Sequence, residues 1–170
     1  MGVTRAYIAF GGNIGHVRDT FRKARDDLNE ISGVEVASCS KLYRTPAVGP
    51  GEQADYLNAV VAIETSLQHI ELLDQLHLIE EKHGRIRLPE PPRWSARTLD
   101  LDILTYGSDL VELERLVIPH PMMAQRMFVL CPLCDLDPNW HHPLLQVTAA
   151  EMMAQLIAEG EPPLPEGEAW

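Results

Sequence analysis

The chain has 170 residues, of which 45% are hydrophobic and 23% are charged, a balance typical of a single globular domain. Its formal net charge of −11 argues against binding to nucleic acid, which requires a positive surface. No apolar run is long enough to cross a membrane and no signal peptide is evident. We therefore expect a cytoplasmic monomer that binds neither nucleic acid nor membrane.

Apolar periodicity divides the chain into strands that alternate with helices. The first strand ends at Gly11-Gly12-Asn13, where glycine permits a tight turn and close approach of a ligand. In chain order, the pattern predicts strand 6–10, helix 17–31, strand-like run 34–43, loop 47–55, strand 56–64, a helix from 70 to near 84, proline-rich flap 85–92, strand 99–103, extended segment 112–118, loop 138–143 and helix 149–157.

This order of strands and helices predicts an α+β fold. Strand, helix, strand, strand, helix, strand is the sequence of the ferredoxin-like, or split βαβ, plait, an antiparallel sheet with helices packed on it. No linker divides the chain, so we expect one domain over residues 1–159. Residues 160–170 are acidic and proline-rich, and this composition predicts a poorly ordered tail.

The strand at 99–103 carries the most distinctive pattern of the chain. Leu99, Leu101 and Ile103 alternate with Asp100 and Asp102, so both carboxylates stand on the face opposite the core. Two carboxylates with room for water and phosphate suit Mg²⁺ better than Zn²⁺. The alternative from the residues alone is an exposed acidic edge strand.

Basic residues cluster just before this strand. Of 14 lysines and arginines in the chain, a single 16-residue segment contains Lys82, Arg85, Arg87, Arg93 and Arg97. An acidic metal site beside an arginine-rich segment is what binding a nucleoside triphosphate requires. The pattern therefore favours a nucleotide-handling site, although the arginines could also merely neutralise an acidic edge.

The three cysteines do not indicate a disulfide framework. Cys131 and Cys134 have the spacing of a redox pair, but they continue an apolar run rather than begin an exposed helix. Zinc would need two more ligands, and only His141 and His142 are near. Packing as small buried side chains is the favoured interpretation.

An ordered series of short motifs resembles the 6-hydroxymethyl-7,8-dihydropterin pyrophosphokinase family of folate biosynthesis. The match extends over almost the whole chain, and Arg-Thr-Leu-Asp-Leu-Asp-Ile is its most specific part. The matching segments are Ala9-Phe10-Gly11-Gly12-Asn13, Tyr43-Arg44-Thr45-Pro46, Asp55-Tyr56-Leu57-Asn58-Ala59, Gly84-Arg85-Ile86-Arg87, Arg93-Trp94, Ala96-Arg97-Thr98-Leu99-Asp100-Leu101-Asp102-Ile103, Ile118-Pro119-His120-Pro121 and Arg126-x-Phe128-Val129-Leu130.

The resemblance implies transfer of pyrophosphate from ATP, the co-substrate, to the hydroxymethyl group of a reduced pterin, with release of AMP. Two Mg²⁺ ions would be held by Asp100 and Asp102, which form the catalytic set with Arg87 and Arg97. The implied ATP-binding residues are Glu80, Arg85, Arg87, Arg93, Trp94, Arg97, Ile103, Arg115, His120 and Arg126.

For the pterin, the resemblance implies a ring stacked between Tyr56 and Phe128, since flat aromatic faces suit such stacking. The other implied pterin-binding residues are Gly11, Thr45, Pro46, Val48, Asn58 and Trp94. Several positions depart from the family pattern. Pro121 stands where some members have an aromatic residue, and His77 lies where an amide can occur. Their roles stay open.

Two other functions remain possible from the sequence. A nucleotidyltransferase also uses Asp-x-Asp for two metals, but there the glycine turn and the acidic pair usually lie close together. Gly12 and Asp100 are far apart in this chain. The other alternative is a noncatalytic nucleotide-binding module, because a ferredoxin-like fold alone implies no activity.

Overall fold

This computed structural model describes residues 2–47, 51–85 and 98–170. Its strands form one main antiparallel sheet that is flanked by helices. The predicted strand-like run at 34–43 is two strands, and the predicted segment at 112–118 is a hairpin. The elements are β1 (Thr4–Gly12), α1 (Val17–Glu30), β2 (Val34–Cys39), β3 (Tyr43–Thr45), β4 (Tyr56–Thr65), α2 (His69–Lys82), β5 (Asp100–Tyr106), β6 (Val111–Leu113), β7 (Leu116–Ile118), α3 (Met127–Leu136) and α4 (Ala149–Ala158).

The main sheet has the order β2-β4-β1-β5, and β3 continues beside β2 on β4. All its pairings are antiparallel, and α1 and α2 connect strands that are not neighbours. This is the predicted split βαβ plait, and the α+β prediction is confirmed. Strands β6 and β7 form a separate hairpin after the last strand of the sheet.

Each face of the sheet has its own core, because successive side chains of a strand point to opposite faces. On one face, Ile8 and Phe10 of β1 pack with α1 and α2, and the Phe10 ring meets Phe21 edge-on at 5.4 Å between centroids. On the other face, Tyr7 and Leu104 pack with α3 and α4. Among the described residues, no helix has the length and apolar character needed to cross a membrane.

The end of the chain contacts the core through its last aromatic side chain. The Trp170 ring lies 5.8 Å, centroid to centroid, from both Phe10 and Phe21. Its indole N–H donates to the carbonyl of Ser40 at 2.7 Å, and Glu168 pairs with Leu42 as an isolated antiparallel bridge. Most of the other residues after 160 are exposed and lie outside regular secondary structure, and the poor order expected of residues 160–170 stays a prediction.

Replacing Trp170 with alanine should therefore destabilise the protein. We expect the free energy of unfolding to fall by about 2 kcal/mol, below the usual loss for a fully buried tryptophan because Trp170 is only half-buried. Urea unfolding measures this difference. The control is Leu144→Ala, since Leu144 is 64% exposed and its loss should change stability little. Equal midpoints for the two variants would show that the packing of Trp170 contributes no stability.

Candidate active site

The acidic pair lies on β5 as the alternation predicts. Leu99, Leu101 and Ile103 are at most 2% exposed and enter the core formed with α1 and α2. Asp100 and Asp102 are half-buried on the opposite face of the strand. The pleat thus presents both carboxylates together, away from the core that fixes the strand.

Strand β1 brings the predicted pterin and metal residues into one row. Gly11 is the partner of Asn58 on β4 and of Asp100 on β5, so it lies between the two. A side chain at Gly11 would begin 3.6 Å from Oδ1 of Asn58 and 4.0 Å from Cβ of Asp100. Glycine therefore leaves open the space above the sheet between these two side chains.

Two cavities meet at the acidic pair. The larger is a cleft of about 450 Å³ between α2, β5 and the β6–β7 hairpin, and the smaller is a cavity of about 60 Å³ between β1, β4 and the start of α3. The larger cleft is also lined by Glu80, Arg85, Ile103 and Arg115, and the smaller by Gly11, Asn58 and Phe128. Both are lined by Asp100, Asp102, His120 and Arg126.

Glu80 supports this arrangement from beneath. Its side chain is 1% exposed, so Glu80 is not a solvated surface carboxylate. The carboxylate accepts a hydrogen bond from the Leu101 N–H at 2.7 Å. Arg85 donates to the same carboxylate at 2.9 Å and also pairs with Asp100. Glu80 also lines the larger cleft. Its hydrogen bonds to Arg85 and to the Leu101 N–H, however, indicate that its role is to position Arg85 and β5.

The charge of Arg85 is held by its carboxylate neighbours. Burial of its guanidinium disfavours the charged form, but Asp100 and Glu80 outweigh burial and raise the pKa of Arg85 above its usual range. A permanent cation therefore lies in the larger cleft, where an anionic substrate would meet it.

His120 is fixed by backbone hydrogen bonds at the junction of the cavities. Its N–H donates to the Leu104 carbonyl of β5 at 2.9 Å, and its Nδ1 accepts from the Met122 N–H at 3.2 Å. This assigns the neutral tautomer, with the proton on Nε2. Burial lowers the pKa of His120, and the positive charge of Arg126 lowers it further, against the opposing effect of Asp100.

The lowered pKa predicts an effect of pH on stability. As the pH falls below about 6.5, the unfolded chain takes up a proton at His120 before the folded protein does, so stability is lost down to the folded pKa. His120→Gln removes this contribution. We expect the free energy of unfolding to fall less between pH 7.5 and pH 5 in the variant than in the wild type. Identical pH dependence in urea unfolding would contradict the buried neutral imidazole.

Arg126 and Phe128 reach the site from the start of α3. The Arg126 carbonyl accepts hydrogen bonds from the Val129 and Leu130 N–H groups, each at 3.0 Å, which fixes the first turn. The Arg126 guanidinium carbon lies 5.6 Å from the centroid of the Phe128 ring. Attraction between this cation and the aromatic face holds the Arg126 and Phe128 side chains together beside the smaller cavity.

The predicted pterin residues are only partly brought together. Asn58 donates through its amide to the Thr45 hydroxyl at 3.0 Å, and Thr45 is the strand partner of Tyr56. The lining of the smaller cavity includes Gly11, Asn58 and Phe128, but neither Thr45 nor Tyr56. Pro46 lines a separate cleft beside the segment at 165–168.

Several predicted residues lie outside the described part of the chain, and their assignments stay predictions. These are Val48, Arg87, Arg93, Trp94 and Arg97. Arg115 is described: it lies at the rim of the larger cleft, paired with Asp74 of α2, and both side chains are half-exposed. A pair this exposed contributes little to stability, so Arg115 can exchange Asp74 for another anion.

Sequence reasoning placed one residue of the β6–β7 hairpin, Arg115, at the site and missed the others. Glu114, Leu116 and Val117 line the larger cleft, as do His77 and Pro121, whose roles the sequence left open. The sequence held no signal for Val117, because single exposed apolar residues are common on protein surfaces.

The acidic pair fits Mg²⁺. No group of three or more histidine, cysteine, aspartate or glutamate side chains in the described ranges could hold a metal, so within those ranges the site offers the two carboxylates of the pair. Mg²⁺ is commonly bound by one or two carboxylates, with water and substrate phosphate completing an octahedron. Arg85 pairs with one oxygen of Asp100, and a carboxylate can serve more than one partner.

Cys131 and Cys134 lie in the middle of α3, away from its N-terminus. Burial raises the pKa of both thiols, and that of Cys134 reaches about 11. Reactive cysteines need a lowered pKa, so these thiols have the character of packing groups.

Comparison with known proteins gives one consistent family. Residues 7–138 match the model of 7,8-dihydro-6-hydroxymethylpterin-pyrophosphokinase. The chain is 44% identical over 151 residues to the 2-amino-4-hydroxy-6-hydroxymethyldihydropteridine pyrophosphokinase of Synechocystis sp., covering 89% of this chain and 75% of that one. It is 37% identical over 160 residues to the protein of that name from Methylorubrum extorquens, covering 94% and 96%.

A solved structure shows the same fold. Wild-type Plasmodium falciparum HPPK-DHPS with pteroate superposes with a TM-score of 0.71 at 14% identity, over 92% of this chain and 43% of that chain. The chain thus spans less than half of that solved protein, and the likeness concerns the fold alone.

Proposed function

The chain belongs to the 7,8-dihydro-6-hydroxymethylpterin-pyrophosphokinase family, and we propose that it catalyses that family's reaction. It transfers pyrophosphate from ATP to the hydroxymethyl group of 6-hydroxymethyl-7,8-dihydropterin, a step of folate biosynthesis. One observation carries this proposal beyond the family name: Asp100, Asp102, His120 and Arg126 line both cavities. A site that joins two substrates needs such a junction.

ATP occupies the larger cleft in this proposal. Leu73, Leu116 and Val117 give it apolar walls suited to a nucleobase, and Arg85, Arg115 and Arg126 provide positive charge for the triphosphate. Glu80 acts indirectly, through its bonds to Arg85 and the backbone of β5. Arg87, Arg93, Trp94 and Arg97 complete the ATP contacts that membership of the family implies.

In our proposal, Asp100 and Asp102 would hold two Mg²⁺ ions. When bound, the metal would offset the charge of the triphosphate and make its phosphorus atoms more electrophilic. The two carboxylates share one face of β5, and the buried leucines behind them keep the strand fixed.

The pterin lies above Gly11, between β4 and the start of α3. Asn58 offers an amide to its polar edge and Phe128 a flat face, while Thr45 orients the Asn58 amide. The volume of about 60 Å³ is too small for a two-ring substrate, so side chains that line the cavity must move on binding. Tyr56 becomes the second stacking face in that opened state.

The residues at the junction position the reacting groups. The hydroxymethyl oxygen attacks the β-phosphorus, and the bond from that phosphorus to the oxygen bridging it to the α-phosphorus breaks. AMP leaves with that oxygen, and the hydroxyl proton passes to solvent water. Neutral His120 can donate from Nε2 to a phosphate oxygen, and Arg126 balances the charge that develops there.

The products of the reaction test the proposal. Incubation with ATP, Mg²⁺ and 6-hydroxymethyl-7,8-dihydropterin should yield AMP and the pterin diphosphate in equal amounts. The control substrate is 6-methyl-7,8-dihydropterin, which lacks the attacking oxygen and should give no AMP. Release of free pyrophosphate would indicate nucleotidyl transfer, and ADP would indicate transfer of a single phosphate. Either product, or none, would overturn the proposal. A monomeric state, a cytoplasmic location and the absence of nucleic-acid or membrane binding stay predictions.

A further inference from the structure

We infer that Tyr43 and Asp135 form a positioning pair that sets the distance between the two walls of the pterin cavity. The inference rests on the proposed function, because it assigns that cavity to the pterin. Neither residue lines either of the two cavities at the acidic pair. Asp135, however, belongs to α3, which carries the Phe128 wall, and Tyr43 belongs to β3, the strand paired with the Asn58 wall on β4.

The Asp135 carboxylate accepts hydrogen bonds from the Tyr43 side chain and from the backbone just before β3. The Tyr43 hydroxyl lies 3.0 Å from Oδ1 and 2.8 Å from Oδ2 of Asp135, so either oxygen can accept its proton. The backbone N–H of Lys41, just before β3, donates to Oδ2 at 3.1 Å. One carboxylate therefore holds β3 at two points, through a side chain and through the backbone.

One end of this link is the strand that orients the pterin-facing amide. Tyr43 is the strand partner of Asn58, and Thr45, two residues further along β3, bonds the Asn58 amide at 3.0 Å. Tyr43 is 6% exposed, so its ring cannot move without disturbing the packing around it. A shift of β3 would therefore move Thr45 and reorient Asn58.

The other end is the helix that carries the aromatic wall. Phe128 and Asp135 are seven residues apart on α3, about two turns, so they lie on the same face of the helix. This face packs on β3 and β4. Anchoring Asp135 thus fixes the position of Phe128 at the other end.

Tyr43 remains the donor of this bond. Burial raises the pKa of Tyr43, and the neighbouring Asp135 raises it further, so the hydroxyl keeps its proton and remains the donor. Hydrogen bonds that a charged group accepts are stronger than neutral ones. The pair can therefore hold α3 and β3 together when the cavity opens to admit the pterin.

The chain offers a matched control for this pair. Tyr7 of β1 donates to Asp137, at the end of the same helix, at 3.1 Å. Tyr7 is 4% exposed, and it joins α3 to β1 rather than to β3. Removing this hydroxyl breaks a bond of the same type without releasing the strand that orients Asn58.

The test compares Tyr43→Phe with Tyr7→Phe by steady-state kinetics of AMP release. Tyr43→Phe should raise KM for the pterin about tenfold, equivalent to about 1.4 kcal/mol, while KM for ATP changes less than about twofold. Tyr7→Phe should leave both constants within about twofold of the wild type. Asp135→Asn keeps an acceptor for Tyr43 and should restore most of the pterin affinity that Asp135→Ala loses.

Three results would overturn the inference alone: an unchanged pterin KM in Tyr43→Phe, an equal rise in Tyr7→Phe, or a parallel rise in KM for ATP. The last two would show a general effect of stability rather than positioning. Thermal unfolding of both variants measures that effect separately. A wild-type protein that releases no AMP would overturn the proposed function, and the inference with it.

Discussion

Asp102→Asn is expected to lower kcat by about a thousandfold without unfolding the protein, since loss of one preorganised electrostatic group at such a site has effects of this order. The substitution preserves size and removes the negative charge that attracts Mg²⁺. Asp102 is half-buried on the cavity side of β5, so the core behind the strand is not disturbed. Asp100→Asn should have a similar effect, and it also releases Arg85 from an ion pair.

The measurement is the rate of AMP release at saturating ATP and pterin over a range of Mg²⁺ concentrations. The control variant is Asp109→Asn, because Asp109 is exposed in the turn after β5 and should keep wild-type activity. Urea unfolding should show that all three variants are folded. Near-normal activity in either Asp100→Asn or Asp102→Asn, at ordinary Mg²⁺ concentrations, would show that the pair does not hold the metal.

Glu80→Ala should be the most destabilising single change at the site, with a loss of about 3 kcal/mol in the free energy of unfolding. The 1% exposed carboxylate accepts from the Leu101 N–H and pairs with Arg85. Alanine leaves a buried backbone donor and a buried cation without that partner. Because the Leu101 N–H lies between Asp100 and Asp102, the variant should also lose activity.

Two controls separate the contributions in this experiment. Glu81→Ala removes the neighbouring, exposed carboxylate of α2 and should change stability by less than about 0.5 kcal/mol. Glu80→Gln keeps an oxygen that can accept from the Leu101 N–H but loses the ion pair with Arg85. Its stability should therefore lie between those of Glu80→Ala and Glu81→Ala. A Glu80→Ala protein as stable as Glu81→Ala would refute the supporting role of Glu80.

The sequence predicted the elements whose periodicity is strong and local. Helices α1 and α2 and strands β1, β4 and β5 all have regular apolar spacing, and their order was enough to predict the split βαβ plait. Helix α3 was not assigned, because its apolar residues surround Pro132 and show no clear period. The second face of the sheet is apolar, because Tyr7, Val60 and Leu104 lie on it. A second layer of helices, α3 and α4, must therefore cover this face.

The site, like the fold, was predictable where it depends on a local pattern in the sequence. The period of two placed Asp100 and Asp102 on one face without any knowledge of the fold, and the resemblance supplied the roles of the other residues. What could not be predicted depends on contacts between distant parts of the chain. Tyr43 meets Asp135 across 92 positions and Trp170 meets Ser40 across 130, and neither pairing leaves a local pattern.

In our proposal the two carboxylates of β5 hold metal between ATP and the pterin. Calorimetric titration can test this with an ATP analogue that has a methylene group in place of the oxygen between its α and β phosphates. We expect the wild type to bind this analogue tightly with Mg²⁺ and weakly without it, and Asp102→Asn to bind it weakly in both conditions. Equal affinity of the two proteins in the presence of Mg²⁺, or of the wild type with and without it, would show that the pair does not hold the metal.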